Sequence, residues 1–486
     1  MVRRPSLAIS ISLALAGCGA ANDDETLETA WIGDPASPFE TGLRLSPPAQ
    51  AIRAATTEGL VSLGAQGEVV PALAERWIVT DDGMSYIFRL RNSDWPGPNG
   101  RPGEPIAAAE VRDSLRRTLR DLSGTSLGLD LAPIDEVRAM TGRVIEIRLS
   151  SPVPDLLQLL AQPEMGLVHK GCGAGPMVMI RQGKVARLTL LPPEARGLPM
   201  RQNWQEGTRV LGLRAMGAQA AVAAFREGSI DVVLGGTVVD FPLADAGPLS
   251  RGNVRLDAAQ GLLGLRVLNT EGLLGDAGRR EALSMAIERA TLLAPFNIAG
   301  WVPSTRLVPS AAAANAPERW ANLTIDERRA EARRRVAGFA GRKQVRVSLP
   351  AGPGSDLLFR ELTADWEEIG VFAVRAGKGQ PADLSLIDSL ARFGGRRWYL
   401  DQFACTVRRT LCSEDADTLV REAANTTDPV ARETMLAEAE ARLTAQAGYI
   451  PLGAPVRWSM VRGNLPGFVE NAWALHPLPP LAMGPT

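Results

Sequence analysis

The chain has 486 residues, of which 45% are hydrophobic and 22% are charged. This length exceeds what one hydrophobic core usually serves, so we expect two or three domains with sizeable cores. The formal net charge of −1 excludes a global positive field of the kind that binds nucleic acid.

The first residues have the layout of an export signal. Arg3 and Arg4 precede an apolar run from Leu7 to Ala16, and small residues follow that run. The run is too short to cross a bilayer, which needs about 20 apolar residues. We therefore predict a signal peptide over residues 1–17. No later segment is predicted to span a membrane.

Short strands alternate with helices along the rest of the chain. Strands are predicted from period-2 or buried apolar runs, and helices from apolar residues at helical spacing. The predicted strands are 27–32, 85–91, 143–149, 209–214, 230–234, 262–268, 345–349, 372–375 and 384–387. The predicted helices are 108–122, 219–227, 279–293, 357–369 and 430–446. Proline- and glycine-rich breaks at 96–105, 192–199 and 302–317 mark loops or domain edges. Mixed α/β lobes follow from this order.

An ordered series of motifs covers nearly all of the chain after the signal. It runs from VVPALAERWIVTDDGMSYIFRLR (69–91) through GAGPM (173–177) and RREALSMAIER (279–289) to GYIPL (448–452). In this order the segments resemble family 5 of the extracellular solute-binding proteins, which feed oligopeptide, dipeptide and nickel ABC importers. GAGPM resembles a weakened form of the strand that crosses between lobes in that family.

The resemblance implies an α/β, two-lobed periplasmic-binding-protein fold of the large three-domain type, with a ligand cleft between the lobes. By motif, lobe I comprises residues 26–50, 170–262 and 463–486. A domain over 51–169 is inserted in lobe I, and lobe II covers 263–462. The implied mechanism is closure of the lobes about a hinge, because contacts of the solute with both lobes favour the closed state.

Leu15-Ala16-Gly17-Cys18 resembles a bacterial lipobox. The resemblance implies lipidation of Cys18, followed by a tether over residues 18–25. Several acyl chains give stable anchoring, since each buried CH₂ contributes about 0.8 kcal/mol. The alternative is a signal peptide that happens to contain a cysteine. We expect a periplasmic or cell-envelope protein that is lipid-anchored to a membrane, and Gly19 leaves the outer membrane open as its location.

Two further cysteines suit an oxidising compartment. Cys405 and Cys412 lie seven positions apart and could close a small loop in the periplasm. Such a disulfide would contribute about 2–3 kcal/mol on the chain-entropy model. Two free thiols are the alternative. His169 and Cys172 alone make a poor metal site, because a structural zinc needs four ligands. No metal or cofactor is predicted.

The ligand site is predicted between residues 388 and 401. Family members that bind peptides hold the peptide amino terminus with an aspartate, near a Trp-x-x-Asp segment upstream of a cysteine. Counted back from Cys405, that aspartate position holds Ala391, and Asp388 stands where the tryptophan would be. The resemblance therefore implies that the amine clamp is absent.

A basic and aromatic cluster lies in the same region. Arg392, Arg396 and Arg397 cluster near Trp398. We hypothesise that these arginines bind an anionic group of the solute through arginine forks, with Trp398 stacking against apolar or cationic parts. The alternative is a solvated basic loop with Trp398 in the core. Trp31 and Trp301 are candidates for the cleft wall by family position, with a buried packing role as the alternative. The candidate ligand-binding residues are Trp31, Trp301, Asp388, Arg392, Arg396, Trp398 and Asp401.

The sequence favours binding over catalysis. Its two histidines, His169 and His476, leave little scope for a histidine-based triad. It contains no Walker or HExxH motif. The predicted function is a monomeric solute-binding lipoprotein that captures a peptide or another small organic solute and delivers it to an ABC permease. The alternatives are a solute sensor or receptor, and a ligand-free envelope lipoprotein with the same fold.

Overall fold

The structure is a computed structural model that describes residues 26–96, 102–244, 252–313, 315–408 and 410–484. The predicted signal peptide, Cys18 and the tether lie outside these ranges. None of the helices in these ranges combines the length and the apolar character that crossing a membrane requires.

The strands of the described residues are short. In chain order they are β1 (Thr26–Ile32), β2 (Val61–Leu63), β3 (Val69–Pro71), β4 (Ala74–Val79), β5 (Ser85–Leu90), β6 (Asp94–Pro96), β7 (Pro102–Pro105), β8 (Ile134–Met140), β9 (Val144–Leu149), β10 (Val168–His169), β11 (Cys172–Gly173), β12 (Met177–Gln182), β13 (Val185–Leu190), β14 (Val210–Met216), β15 (Val232–Thr237), β16 (Val254–Asp257), β17 (Gly261–Val267), β18 (Gln344–Ser348), β19 (Phe372–Arg375), β20 (Leu384–Leu390), β21 (Tyr449–Gly453) and β22 (Arg457–Val461).

The helices begin and end at recognisable signals. In chain order they are α1 (Pro47–Thr56), α2 (Ala108–Asp121), α3 (Ser126–Asp130), α4 (Leu156–Leu160), α5 (Ala218–Glu227), α6 (Phe241–Ala244), α7 (Ala277–Ala286), α8 (Arg289–Leu293), α9 (Ile325–Ala337), α10 (Pro353–Glu367), α11 (Arg396–Asp401), α12 (Glu414–Ala424), α13 (Pro429–Ala445) and α14 (Leu478–Leu481). Thr324 and Glu327 form a capping box at the start of α9. Gly228 ends α5 with a left-handed φ of 83°.

The predicted helix 279–293 is two helices in the structure. Ile287 and Glu288 adopt extended backbone angles between α7 and α8. The freed backbone N–H of Glu288 donates to Asp365 of α10, and the Glu288 carboxylate accepts from the backbone of Ala290 at the start of α8. The apolar periodicity continues through this break, so the sequence pattern alone did not reveal it.

Lobe I is built on a seven-stranded sheet in the order β12-β13-β14-β1-β15-β22-β16. The first strand, β1, lies in the middle and pairs in parallel with β14 and β15. Its residues Thr29 and Ala30 are fully buried, as expected for a central strand covered on both faces. Lobe I therefore takes its sheet from three separate stretches of the chain.

Lobe II is built on a five-stranded sheet in the order β19-β18-β20-β17-β21. Helix α10 lies beside β19, and its Trp366 is fully buried with the indole N–H donating to the carbonyl of Leu283 in α7. The chain enters this sheet through residues 258–260, between β16 and β17. It returns to the lobe I sheet through residues 454–456, between β21 and β22.

The inserted domain is a four-stranded antiparallel sheet, β4-β5-β9-β8, with α2 packed beside β8 and β9. Its buried residues, such as Phe88 and Ile145, belong to one continuous apolar cluster with Ala391, Phe393 and Trp398 of lobe II. The inserted domain and lobe II therefore face each other directly in this structure.

Three of the predicted domain boundaries differ from the sheets. Strand β17 of lobe II begins at Gly261, so lobe II begins before residue 263. Ile52 and Ala55 of α1 pack in the core of lobe I, so the inserted domain begins after α1 and not at residue 51. Strand β22 pairs with β15 and β16, so the return to lobe I precedes residue 457 and does not follow 462. An apolar pattern shows that a segment is buried, but it does not show which core receives it.

Replacing Phe88 by alanine should lower the free energy of unfolding by about 3–5 kcal/mol, because the ring is fully buried and its removal leaves a cavity. Ile78→Ala on the neighbouring strand β4 is the matched control. Ile78 is 66% exposed, so its loss should change stability by about 0.5 kcal/mol or less. Denaturant unfolding followed by circular dichroism measures both, and equal effects would contradict the assigned inner face of this sheet.

Candidate functional site

The candidate site is the interface at which the inserted domain meets lobe II. Helix α3 of the inserted domain contacts α11 of lobe II. The Thr125 hydroxyl caps α3 by accepting from the backbone N–H of Gly128 at 3.0 Å. On the other side, α11 follows Gly395, whose φ of 94° favours glycine. Both helices are short, and each ends with an aspartate: Asp130 in α3 and Asp401 in α11.

Arg392 spans this interface. Its Nη1 donates to the hydroxyl of Ser126 in α3 at 2.9 Å, and its Nη2 lies 3.9 Å from the carboxylate of Glu164. The side chain is about a quarter exposed. Arg392 is thus a lobe II cation whose polar partners belong to the inserted domain.

Arg396 does not point into a groove. It is 5% exposed, and it donates to Glu433 through Nε at 2.9 Å and Nη2 at 2.6 Å, and to Glu440 through Nη1. Glu440 also accepts from Arg306 at 2.6 Å. The hypothesis that Arg396 forks onto an anionic solute is therefore wrong for this arrangement. Two carboxylates of α13 already satisfy its guanidinium.

Trp398 lies in the core and not on a solute-facing wall. It is 1% exposed and packs edge-on to Tyr399, with ring centroids 4.9 Å apart. The indole N–H has no hydrogen-bond acceptor among the described residues. The predicted stacking on a solute is therefore not available here, and the packing alternative describes the residue.

Asp401 faces a second buried acid that the sequence did not single out. Asp130 ends α3 and is fully buried, and its carboxyl lies within hydrogen-bonding reach of Asp401. Burial, followed by the charge of Asp401, raises the pKa of Asp130 well above its usual value, while Arg397 and Arg392 oppose this shift. Burial also raises the pKa of Asp401, which accepts from Nε of Arg397 at 3.2 Å. No feature of the sequence joins Asp130 to Asp401, so only the fold shows this pairing.

Asp388 and Trp301 lie at the return crossing and not at the α3–α11 interface. Asp388 of β20 accepts from Nη1 of Arg457 in β22 at 2.6 Å, which joins lobe II to lobe I. Burial raises the pKa of Asp388, and Arg457 opposes the shift. The indole N–H of Trp301 donates to the carbonyl of Ala454 at 2.8 Å, inside the crossing. Both residues therefore stabilise the return crossing.

Trp31 lies at the end of β1 in the lobe I sheet. It is half-buried, and its indole covers Gly235 so closely that a Cβ there would stand 2.2 Å from Nε1. A glycine at position 235 is thus required by this contact and by its φ of 81°. The structure gives Trp31 a packing role at this position.

A possible metal-binding arrangement lies elsewhere in the inserted domain. Donor atoms of Glu104, Glu110 and His169 all lie within 4.8 Å of one another, with His169 Nε2 3.5 Å from Glu104 and 3.8 Å from Glu110. The Lys170 ammonium, however, contacts both oxygens of Glu104 at 2.8 and 2.9 Å. Since Lys170 neutralises one of the three donors, we assign no metal to this cluster. The His169–Cys172 pair considered from the sequence does not form the cluster.

Cys405 and Cys412 are joined by a disulfide, with their Cα atoms 5.1 Å apart. The bond closes a loop between α11 and α12. The backbone N–H of Cys405 donates to Asp417 of α12 at 2.9 Å. The disulfide therefore holds α12 close behind α11 and the interface.

Comparison with known proteins identifies one matching family model and several solved structures with a similar fold. The model of the family described as "Bacterial extracellular solute-binding proteins, family 5 Middle" matches residues 68–189. Di/tripeptide-binding protein 4 of Pseudomonas aeruginosa is 25% identical over 470 residues, covering 83% of this chain and 84% of the relative. The nickel-binding periplasmic protein of Escherichia coli is 37% identical over 107 residues, covering 22% of this chain and 20% of that protein.

Solved structures share the fold over almost the whole chain. OppA of Haemophilus influenzae in complex with the peptide RPPGFSPFR has a TM-score of 0.78 at 15% identity, and covers 95% of this chain and 98% of its own. The murein tripeptide binding protein MppA of Escherichia coli has a TM-score of 0.76 at 19% identity, with coverage of 93% and 97%. The predicted two-lobed α/β fold is confirmed by these similarities.

The buried pairing of Arg396 makes a testable claim about stability. Glu440→Ala should lower the free energy of unfolding by about 3–5 kcal/mol, because it leaves the buried Arg396 and the half-buried Arg306 without a shared carboxylate. Glu438→Ala on the same helix is the control. Its carboxylate is half-exposed and pairs with Arg442, so the expected loss is about 0.5 kcal/mol or less. A small effect of Glu440→Ala in denaturant unfolding would contradict the assigned role of Glu440 as the shared buried partner of Arg396 and Arg306.

Proposed function

We propose that the chain, whose residues 68–189 match the model of the bacterial extracellular solute-binding proteins of family 5, captures a peptide or another small organic solute between the inserted domain and lobe II. The observation that carries the proposal is the two-crossing connection of the sheets. Residues 258–260 and 454–456 link lobe I to lobe II, while the inserted domain reaches across to α11. A solute held at that interface would contact both sides and favour closure.

Peptides are the first class of solute to test. The relatives with names that specify a ligand include binders of di- and tripeptides, and OppA of Haemophilus influenzae is in complex with a nine-residue peptide. In this chain Arg392 offers a guanidinium at the interface, where a carboxylate of a solute could replace Glu164 as its partner. The positive charge of Arg392 would pair favourably with a solute that ends in a carboxylate.

We further propose that the protein works in the cell envelope as a monomer. The lipobox-like segment would attach Cys18 to a membrane, and the solute-loaded form would be recognised by the permease of an ABC importer. Hinge closure supports this step, because it changes the surface that the two lobes present together. A binding protein needs no catalytic group for this task.

A ligand-free envelope lipoprotein is the second candidate function. It is favoured by Ala391, which occupies the place of the aspartate that peptide binders use, and by the apolar cluster that already joins the two sides of the interface. The two candidates differ in whether any solute stabilises the fold.

Thermal unfolding in the presence of di- and tripeptide mixtures distinguishes them. A peptide at about 100 times its Kd should stabilise the protein by about 2.7 kcal/mol, because it binds only the folded chain. A rise in Tm with peptides, and none with the equivalent free amino acids, supports solute capture. No rise with peptides or with metal chelates would support the ligand-free candidate and contradict the proposal.

Arg392→Ala should weaken binding of a peptide found in this way about tenfold, because a charge-assisted hydrogen bond to the solute carboxylate is lost. Arg360→Ala on α10 is the matched control, since Arg360 is exposed and pairs only with its neighbour Glu361. Isothermal titration calorimetry measures both variants. Unchanged affinity in Arg392→Ala would remove Arg392 from the site.

A further inference from the structure

Two aspartates from opposite sides of the interface meet at a buried place between the inserted domain and lobe II. Asp130 is the last residue of α3 in the inserted domain, and Asp401 is the last residue of α11 in lobe II. Both side chains are buried, at 0% and 3% exposure. The two helices contact each other, and the carboxyl of Asp130 lies within hydrogen-bonding reach of Asp401.

The hydrogen-bonding surroundings of Asp130 are incomplete without a proton. No N–H or O–H group of the described residues donates to either of its carboxyl oxygens. A buried carboxylate without donors is strongly unfavourable. The group within reach is the carboxyl of Asp401, and two ionised carboxylates cannot hydrogen-bond to each other because neither carries a donor. One shared proton converts this repulsion into an O–H···O hydrogen bond.

The charges around the pair do not neutralise both acids. Arg397 contacts Asp401, but its positive charge also lowers the pKa of Asp130 and of Asp155, which precedes α4. Arg392 acts on Asp130 and is itself near Glu164. The remaining charged group that acts on Asp401 is Asp417 of α12, whose like charge adds to the repulsion.

We propose that Asp130 and Asp401 form a proton-operated latch, in which closure of the inserted domain onto lobe II takes up one proton between the two carboxyl groups. When the lobes separate, water solvates both carboxylates and the proton returns to the solvent. The latch rests on the proposed function, because it regulates closure of the same interface. It predicts that a solute would meet a more open protein at higher pH.

The direction of the pH dependence follows from the shifts of the two groups. Burial raises the pKa of both aspartates in the closed arrangement, and the charge of Asp401 raises that of Asp130 further. The separated groups should titrate near the ordinary aspartate pKa of about 4. A group with a raised pKa in the closed state stabilises that state at low pH. This stabilisation is lost as the pH rises through the raised pKa. Closure is therefore favoured in acid and weakened toward neutral and alkaline pH.

Small-angle X-ray scattering of the mature chain without solute tests the latch. Between about pH 4.5 and about pH 8.5, a window that begins just above the ordinary aspartate pKa, the radius of gyration should rise as the lobes separate. Asp130→Asn supplies an amide N–H that donates to Asp401 without a proton. Its radius of gyration should therefore stay at the compact value throughout the window. If Asp130→Asn does not fold, Asp401→Asn offers the same hydrogen bond in the opposite direction.

Asp365→Asn is the control for titration of a buried acid. Burial raises the pKa of Asp365 to about 6, but its partners Arg329 and Glu288 lie within lobe II. This variant should keep the rise in radius of gyration that the unaltered chain shows. A radius of gyration that does not change with pH in the unaltered chain would overturn the latch, and so would an unaltered pH response in the asparagine variants at positions 130 and 401. Because no solute is present, these results are independent of whether peptides bind.

Discussion

The connection between the two large sheets is the constraint on which the rest of the structure depends. In the described part of the chain, lobe I and lobe II are covalently linked by residues 258–260 and 454–456. The second link is fixed in detail: Trp301 holds the carbonyl of Ala454, and Asp388 pairs with Arg457. Motion is thus restrained at this end of the lobes. At the other end, the inserted domain and lobe II meet through side chains, which can separate without breaking the chain.

Arginine–carboxylate ion pairs occur within the inserted domain and within each lobe. Arg91 pairs with Glu58 in the inserted domain, Arg187 and Arg214 pair with Glu28 in the lobe I sheet, and Arg396 with Glu440 in lobe II. Each guanidinium lies within one lobe or domain, so its partner does not change when the lobes move. Arg392 differs, because its partners Ser126 and Glu164 belong to the opposite side. A solute that displaces Ser126 and Glu164 from Arg392 would change contacts at the interface and leave the ion pairs within each lobe intact.

The sequence predicted the elements better than their assembly. The strand 372–375 matches its prediction, and the helix predicted over 108–122 is Ala108–Asp121, because local apolar periodicity determines both. The membership of α1 and β22 in lobe I was missed, since burial is visible in the pattern but the partner strand is not. The Arg396 hypothesis failed for a related reason. Its carboxylate partners lie 37 and 44 residues later, on α13, and nothing near Arg396 in the sequence indicates them.

The structure brings only some of the predicted site residues together. Arg392 and Asp401 lie at the interface, whereas Trp398 fills the core behind it and Asp388 and Trp301 stabilise the hinge. Asp130 could be found only from the fold, because its partner is contributed by a domain 271 positions further along the chain. Long-range pairing of like charges leaves no local signal in a sequence.

The most direct test of the account is a crystal structure of the mature chain with a bound di- or tripeptide, compared with one grown without it. The account predicts peptide density between the inserted domain and lobe II, with the two sides rotated about residues 258–260 and 454–456 relative to the peptide-free crystal. Peptide bound at another surface, or identical lobe positions with an empty interface in both crystals, would contradict it.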